Sequence, residues 1–376
     1  MDITYHNEQD ISLRNALAFE SISDNIDLGN LPEIPGTETF PLVYPDDQYK
    51  FLHETAIIVY HGTIFCSWYN NPTNELSGFT PIRSCRSKDG GKTWSKVETI
   101  ASDPSGKLLY CPPVYGICDD KLYMLMNTMV SADHMHSLEF YLYDEKTETF
   151  NLIRSEKLPF KLNTNVYHLE NGKLLLPGRI AEQDSFPATP AVLISDSGKI
   201  DAEWRLVYVQ KDELLPGGLN LIHPEQSAII QQETITLFCR NCRSAVPLMF
   251  RSKDYGETWS PPMCHNIPFS SSKIYSGTLK DGRHYLIGNM AEGKNFDYRN
   301  RNKLALFITN DSSLNFSKGF LIRDGYDPKW NLYPQWSYPC AYEHEGKLYV
   351  IYTMVTRTEE PQQRGAMISI IDTAQL

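Results

Sequence analysis

Two stretches of this chain are nearly identical: Ser252-Lys253-Asp254-Tyr255-Gly256-Glu257-Thr258-Trp259 and Ser87-Lys88-Asp89-Gly90-Gly91-Lys92-Thr93-Trp94. Each follows an arginine and precedes a serine. The shared pattern, S-x-D-x-G-x-T-W, predicts a hairpin turn: the aspartate can accept hydrogen bonds from turn N–H groups, the glycine can take a positive φ, and the tryptophan can pack on neighbouring structure. The duplication therefore indicates a repeated structural element rather than a catalytic site.

Weaker copies of this turn recur along the chain at nearly regular intervals, and the aspartates that mark the series are Asp89, Asp144, Asp196, Asp254 and Asp311. A second series, in which a turn is followed by an apolar strand, runs in parallel. Its six members begin at His61, Asp120, Asn171, Glu233, Asp281 and Glu345. Six units of roughly 50 to 60 residues have the length of propeller blades, each a four-stranded meander.

The repeats predict an all-β protein, a six-bladed β-propeller with four-stranded antiparallel blades. Residues 46–376 are expected to form this single propeller domain. Residues 1–45 are expected to close the ring by adding a strand to the final sheet, to which the run 366–371 also belongs. Within that N-terminal segment, residues 11–20 are equally compatible with a strand or a short helix.

The composition excludes several classes of partner. The chain has 376 residues, a net charge of −11 and a pI near 5.4, which argues against nucleic acid or an anionic membrane surface. Neither a membrane-spanning apolar run nor a signal peptide is visible, so the chain as given predicts a cytoplasmic protein; a secreted or periplasmic protein whose signal had been removed would look the same. No cluster has metal-ligand spacing and no cofactor is expected; Cys239 and Cys242 form a lone CxxC.

With its repeated turns, the chain resembles the sialidase (neuraminidase) superfamily from about residue 50 to 360, where this turn is known as the Asp-box. The resemblance implies hydrolysis of a terminal sialic acid. In that family three arginines hold the substrate carboxylate, a tyrosine activated by a glutamate attacks the anomeric carbon, and an aspartate is the acid/base. A neutral phenol suits this substrate because an anionic nucleophile would be repelled by the carboxylate beside the anomeric carbon.

Four positions carry the resemblance to the catalytic machinery. Glu225 precedes Arg240 at the spacing of the family's segment with the glutamate and the second arginine. Arg301, with Arg299 as a close competitor, precedes the Asp311 turn where the third arginine is usual. Tyr338 lies in a segment similar to the one that carries the nucleophile. The resemblance thus implies Tyr338 as nucleophile with Glu225 as its base, and Arg240 and Arg301 as carboxylate ligands.

Two positions depart from the family pattern. The first-blade arginine is absent, and His53 or Glu54 stands in its place. Glu75, shortly before the box of Asp89, occupies the acid/base position that is typically an aspartate. Arg179 and Arg243 are further candidates for the missing positive charge.

The sequence therefore predicts an exo-acting glycoside hydrolase that removes a terminal acidic sugar, either sialic acid or a related ulosonic or uronic acid. Its expected partner is a carbohydrate, and it carries no signal for an oligomeric state. Two alternatives stay open. One is a glycan-binding propeller without catalysis, and the other is a sugar hydrolase or lyase in which His53 transfers the proton.

Overall fold

The computed structural model describes residues 3–23, 26–181, 188–212, 214–291 and 299–376. In this part of the chain, one helix and 28 strands follow one another, and a 3₁₀ turn at Thr373–Gln375 ends the chain. The elements are α1 (Glu8–Ala16), β1 (Ala18–Glu20), β2 (Glu38–Val43), β3 (Phe51–Tyr60), β4 (Thr63–Asn71), β5 (Ile82–Ser87), β6 (Glu98–Ala101), β7 (Leu109–Cys118), β8 (Lys121–Ser131), β9 (His134–Asp144), β10 (Thr149–Glu156), β11 (Phe160–Leu162), β12 (Tyr167–His168), β13 (Leu174–Ile180), β14 (Pro190–Ser195), β15 (Arg205–Tyr208), β16 (Leu214–Leu215), β17 (Leu219–Asn220), β18 (Gln226–Gln231), β19 (Thr234–Cys239), β20 (Leu248–Ser252), β21 (Met263–His265), β22 (Tyr275–Thr278), β23 (His284–Asn289), β24 (Lys303–Thr309), β25 (Phe316–Asp324), β26 (Tyr333–His344), β27 (Lys347–Arg357) and β28 (Gln363–Asp372).

The described strands form six blades, and the predicted six-bladed propeller is confirmed. In chain order the sheets are β3-β4-β5-β6, β7-β8-β9-β10, β11-β13-β14-β15 with β12 beside β13, β18-β19-β20-β21, β22-β23-β24-β25 and β26-β27-β28-β2. We number these blades 1 to 6. The fourth strand of blade 6 is β2, which pairs antiparallel with β28 and so brings the N-terminal part of the chain into the last sheet.

The N-terminal segment also contributes to blade 4. The stretch that was compatible with strand or helix contains both, since α1 ends at Ala16 and β1 begins at Ala18. Asn7 caps α1 by accepting a hydrogen bond from the backbone N–H of Asp10 at 2.7 Å. β1 then pairs in parallel with β21 as a fifth strand.

The two series of turns mark the two kinds of tight connection within a blade. The aspartate series lies between the third and fourth strands of blades 1 to 5, and the second series lies between the first and second strands of all six blades. Blade 6 has no aspartate turn because its fourth strand, β2, comes from the other end of the chain. The regular spacing in sequence thus reflects the repetition of one meander.

Each Asp-box is held by the same hydrogen bonds. In the second box Asp254 accepts from the N–H and hydroxyl of Thr258 at 2.9 and 2.6 Å and from the hydroxyl of Ser252 at 2.7 Å. The hydroxyl of Ser252 accepts from the N–H of Gly256 at 2.8 Å, and Trp259 donates to the carbonyl of Gly256 at 3.0 Å. In the first box the same five bonds measure 2.9, 2.6, 2.8, 2.9 and 3.1 Å. These bonds lower the pKa of the Asp254 carboxyl, although burial acts in the opposite direction.

The apolar core lies between the blades. Five clusters of buried residues each join neighbouring blades: blades 1 and 2, 2 and 3, 3 and 4, 4 and 5, and finally 5, 6 and 1. The box glycines sit at these boundaries. A Cβ on Gly256 of blade 4 would lie 2.9 Å from Cδ1 of Leu175 of blade 3, which is itself fully buried.

Two substitutions separate the cost of backbone strain from that of blade packing. Gly256 and Gly282 have nearly the same φ, +89° and +92°, but a Cβ at Gly282 would meet nothing within 4 Å. Both changes to alanine should destabilise the fold through strain, by about 1 kcal/mol. Gly256→Ala should cost about 1–3 kcal/mol more, because the added methyl group overfills the boundary between two blades. Denaturant unfolding measures the difference, and equal losses in the two variants would contradict this role for the box.

Candidate functional site

Side chains from all six blades meet around one cavity at the axis of the propeller, with a volume of about 550 Å³. Its lining residues are His53, Glu54, Tyr69, Glu75, Leu76, Cys111, Ala132, Lys161, Arg179, His223, Glu225, Arg240, Arg301, Tyr338 and Arg364. A larger groove, of about 870 Å³, lies along residues 205–212, 214–216 and 257–262 at the outer side of blades 3 and 4, but none of the predicted site residues lines it. The axial cavity is therefore the candidate site.

The topology explains why charged residues collect there. Glu75, Arg301 and Arg364 lie in, or directly beside, the connections between the second and third strands of blades 1, 5 and 6. Arg179 and Arg240 lie at the ends of the second strands of blades 3 and 4. In a meander these connections all open at the same end of the ring, so residues far apart in sequence face one space.

Tyr338, Arg240 and Glu225 form the centre of the cavity. Nη1 of Arg240 donates to the phenol oxygen of Tyr338 at 2.6 Å and to Oε2 of Glu225 at 2.7 Å. Burial raises the pKa of Tyr338 far above its ordinary value, so the phenol is neutral at neutral pH. Burial alone would also raise the pKa of Glu225, but the positive charges of Arg240 and Arg179 outweigh this effect and lower it. Glu225 is thus ionised beside a neutral tyrosine.

Arg179 lies beside Glu225, nearest to the carboxylate oxygen that Arg240 does not contact. It is 2% exposed, donates from Nη2 to Oδ1 of Asp133 at 2.9 Å, and has Nη1 3.8 Å from Oε1 of Glu225. Burial alone would raise the pKa of Asp133, but a hydrogen bond from His223 and the charge of Arg179 lower it. The Arg179 guanidinium is therefore already balanced by two carboxylates.

His53 and Glu54 lie on the first strand of blade 1, at the position where the sialidase pattern has an arginine and this sequence does not. The ring of His53 lies 4.0 Å from that of Tyr338, centroid to centroid, and its Nδ1 is 2.9 Å from the hydroxyl of Thr353. Burial, together with the charges of nearby arginines and Lys273, lowers the pKa of His53, so it is neutral at neutral pH. Glu54 accepts a hydrogen bond from buried Lys273 at 2.7 Å.

Glu75 and Arg301 lie at the rim of the cavity. Glu75 is exposed and lies within reach of Tyr69, whose hydroxyl donates to it at 3.3 Å. Arg301 donates to the carbonyl of Ser271 at 3.2 Å and has its guanidinium 5.4 Å from the centre of the Tyr338 ring.

Several lining residues have a strained backbone. Glu54, Leu76, His223 and Tyr338 all have φ between 48° and 56°, a left-handed conformation that residues with a Cβ adopt rarely. Glu54 and Tyr338 lie where the pairing of β3 with β4 and of β26 with β27 shifts register. Strain of this kind costs about 1–3 kcal/mol per residue and is concentrated at functional sites, where it aims side chains into a cavity.

Seven of the eight predicted site residues line this one cavity: Tyr338, Glu225, Glu75, His53, Arg240, Arg301 and Arg179. Arg243 does not. Its side chain is exposed in the turn after Cys239, where its backbone N–H is held by Asn241 at 3.0 Å. Arg243 therefore lies outside the lining of the cavity, and the prediction that it supplies the missing positive charge gains no support from its position. Arg299, the competitor of Arg301, is not among the lining residues.

Sequence reasoning missed four charged residues: Lys161, Lys273, Asp133 and Arg364. A signal existed for Lys161, a lysine within the apolar strand Phe160–Leu162. A signal also existed for Arg364, because Arg240, Arg301 and Arg364 are almost evenly spaced in the sequence, at close to one blade length. Lys273 and Asp133 gave no such signal, since their ion-pair partners are distant in sequence.

The site is positively charged within an acidic protein. Five arginine and lysine side chains and three carboxylates line the cavity, and buried Lys273 and Asp133 add one charge of each sign, so positive charge exceeds negative by two. Among the described residues, Nε and Nη1 of Arg179 and Nε of Arg240 have no hydrogen-bond acceptor. This excess favours an anionic ligand.

No group of three or more His, Cys, Asp or Glu side chains in the described ranges is arranged to hold a metal ion. Likewise, none of the helices described here is long and apolar enough to cross a membrane. All eight cysteines are unpaired; Cys242 is half-buried and the other seven are buried.

Comparisons with known proteins agree with this architecture. Residues 62–350 match the model of a family described as a BNR repeat-like domain. No curated protein matches the chain.

Among solved structures, a protein of unknown function from Dyadobacter fermentans is 18% identical, with a TM-score of 0.67 over 90% of this chain and 100% of its own. The Trypanosoma rangeli sialidase in complex with sialic acid is 12% identical, with a TM-score of 0.65; the match covers 90% of this chain but only 59% of the sialidase. A leech intramolecular trans-sialidase, complexed with 2,7-anhydro-Neu5Ac, is 12% identical with a TM-score of 0.63, over 90% of this chain and 71% of its own. At these identities the likeness shows a shared fold.

The buried position of Arg179 predicts a large effect on stability. Arg179→Gln would leave Asp133 and Glu225 with one cation fewer in a buried site, and should destabilise the fold by about 3–5 kcal/mol. Arg205 is a matched control, since it also pairs with two carboxylates, Asp196 and Glu257, but its side chain is 43% exposed. Arg205→Gln should cost no more than about 1 kcal/mol in the same urea titration.

The pH dependence of this loss has a defined sign. Because the folded-state pKa values of Asp133 and Glu225 are lowered, their contribution to wild-type stability is present above the ordinary carboxyl pKa of about 4 and is lost only as pH falls through the lower folded values. In Arg179→Gln these carboxyls should take up protons at a higher pH. The difference in free energy of unfolding between the two proteins should therefore narrow as the pH falls from 7 toward the lowered pKa values of the wild type, whereas a difference that stays constant to the acid limit of folding would exclude the charge explanation.

Proposed function

The chain belongs to the BNR repeat-like domain family, and from this premise we propose that it is an exo-acting glycoside hydrolase that removes a terminal acidic sugar. The observation that carries the proposal is the contact of Arg240 with both Tyr338 and Glu225 in a cavity with excess positive charge. The substrate class is sialic acid or a related ulosonic or uronic acid. Because residues of all six blades line the cavity, they can surround a single sugar unit, which suits a terminal sugar.

In the proposed first step, the phenol oxygen of Tyr338 forms a bond to the anomeric carbon as the bond to the leaving oxygen breaks. Glu225 accepts the phenol proton, and Glu75 gives a proton to the leaving oxygen. The neutral phenol supports this order, because it approaches a carboxylate-bearing carbon without charge repulsion. Arg240, already within 2.6 Å of the phenol oxygen, stabilises the negative charge that develops there before the new bond is complete.

In the second step, water replaces the tyrosine on the anomeric carbon. Glu75, now a carboxylate, accepts a proton from this water, and the phenol oxygen leaves with the proton that Glu225 returns. The rim position of Glu75 supports this role, since an exposed carboxyl group can exchange with solvent between the two steps. Arg240 and Arg301 would hold the substrate carboxylate throughout.

This mechanism predicts that Tyr338→Phe abolishes hydrolysis, because it removes the attacking oxygen, and that Glu225→Gln lowers kcat about 100- to 10,000-fold, the usual range for loss of an acid or base. Tyr352→Phe is the control. Tyr352 is a fully buried tyrosine of the same sheet that does not line the cavity, and its hydroxyl lies 3.0 Å from the hydroxyl of Ser369. Release of the aglycone from aryl sialosides and aryl uronides measures turnover. Wild-type rates in Tyr338→Phe would refute the proposed nucleophile, and binding of these glycans without product would indicate a glycan-binding propeller.

One observation favours a second candidate function, a lyase. His53 is neutral and buried, and its ring lies 4.0 Å from that of Tyr338 in a tilted arrangement, so it can accept a proton from the carbon beside the carboxylate of a uronic acid. In that elimination His53 would take the C5 proton, the C4–O bond would break, Tyr338 would protonate the leaving oxygen, and the ring would gain a C4=C5 double bond.

The product distinguishes the two routes. We expect hydrolysis, hence no increase in ultraviolet absorbance from an unsaturated sugar when uronides are digested, and we expect His53→Ala to retain part of the activity. An absorbing product that is lost in His53→Ala would establish elimination in place of the tyrosine mechanism.

A further inference from the structure

Arg364 is a charged residue of the cavity to which the mechanism gives no part. It lies near the start of β28 in blade 6, where its backbone N–H donates to the carbonyl of Lys50 at 2.9 Å. Its guanidinium stacks over the ring of Phe51, 4.5 Å from the ring centre, and donates from Nε and Nη2 to the amide oxygen of Gln362 at 3.0 and 2.6 Å. These contacts fix the guanidinium beside blade 1 without neutralising it.

Two of the other buried cations of the site are balanced by carboxylates, whereas buried Lys161 donates to the backbone carbonyl of Ala132 at 2.9 Å. Arg179 has Asp133 and Glu225, and Lys273 has Glu54. Arg301 and Arg364 differ, because neither forms an ion pair with a carboxylate in the part of the chain that the structure describes. Burial lowers the pKa of Arg364; the carboxylate of Glu75 opposes this change and the charge of Arg301 adds to it. Two guanidinium groups thus line one cavity with no described carboxylate bound to either.

Arg364 occupies nearly the same position in its blade as Arg240 and Arg301, the two residues proposed to hold the substrate carboxylate, occupy in theirs. Arg240 follows the second strand of blade 4, Arg301 precedes the third strand of blade 5, and Arg364 is the second residue of the third strand of blade 6. Three adjacent blades therefore each direct one arginine from the same connection toward the axis. The blade-1 position that lacks an arginine is next to blade 6, and Arg364 packs against that blade through Phe51.

We infer that Arg364 is the third guanidinium of the carboxylate-binding group, acting with Arg301 and Arg240, and that it supplies from blade 6 the positive charge that blade 1 lacks. The ligand is the carboxylate of a sugar acid. Arg179 has a different part, which is to hold Glu225 in place. This assignment rests on the proposed function for the choice of a sugar acid as ligand, but it concerns binding and does not require turnover.

Calorimetric titration with free sugar acids tests the inference, since these compounds have no leaving group to hydrolyse. The probes are N-acetylneuraminic acid and D-glucuronic acid, each compared with its own methyl ester, which lacks the negative charge. The wild type should bind one of the acids at least about 10-fold more tightly than its ester. Arg364→Gln should weaken binding of that acid by about 10- to 100-fold while leaving the affinity for the ester within about twofold. Arg364→Lys should give an intermediate affinity, because a lysine keeps the charge but not the two-pronged contact.

Arg83→Gln is the matched control. Arg83 also stacks over an aromatic ring, 4.4 Å from the centre of Tyr49, but it lies outside the cavity. This variant should keep the preference for acid over ester, and thermal melting should give folded protein for all three variants. The inference is overturned if Arg364→Gln retains the wild-type preference, or if the wild type prefers neither acid to its ester. Loss of the preference in Arg364→Gln, in a protein that hydrolyses nothing, would support the inference and refute the hydrolase.

Discussion

Each blade of this propeller buries its faces against its neighbours, so no core is complete until the ring is closed. The pairing of β2 with β28 provides that closure, and the largest buried cluster joins blades 5, 6 and 1 across it. This constraint fixes the direction of every blade around the axis. As a result, the connections between second and third strands all open at one end, and the cavity is a product of ring closure as much as of the residues that line it.

The closed ring also makes it possible to hold strained and charged residues at the axis. Tyr338 and Glu54 have positive φ at register shifts in long, buried first strands, where pairing on both sides of the shift prevents relaxation. The Asp-boxes depend on nearer contacts: they are local turns stabilised by their own hydrogen bonds, and their glycines fit against a neighbouring blade. The local turns therefore determine the spacing of the repeat, whereas packing between distant parts of the chain determines the geometry of the site.

This division explains what could be predicted from the sequence. The turns leave a local signature, and the blade number and strand order follow from Asp89, Asp254 and their weaker copies. The parallel pairing of the short strand β1 with β21 could not be predicted, because its partner lies in blade 4, far along the chain, and β1 has no pattern of its own. In the site, resemblance pointed to Glu225, Arg240 and Tyr338, while Lys273 was missed because only the fold brings it to Glu54.

The charges of the cavity divide into those that are balanced by the protein and those that are not. Where a carboxylate already bonds a buried cation, as Glu225 does with Arg240, the pair fixes the geometry around the phenol oxygen of Tyr338. Where the acceptors are a neutral amide and a backbone carbonyl, as at Arg364 and Arg301, folding has oriented the guanidinium and left its charge for an incoming anion. A ligand carboxylate placed there would leave the contact of Arg240 with Glu225 and Tyr338 intact. Under the proposed mechanism Arg301 and Arg364 would serve binding alone, whereas Arg240 would serve both binding and bond breaking, so the absence of an arginine from the first blade need not remove the proposed chemistry at Tyr338.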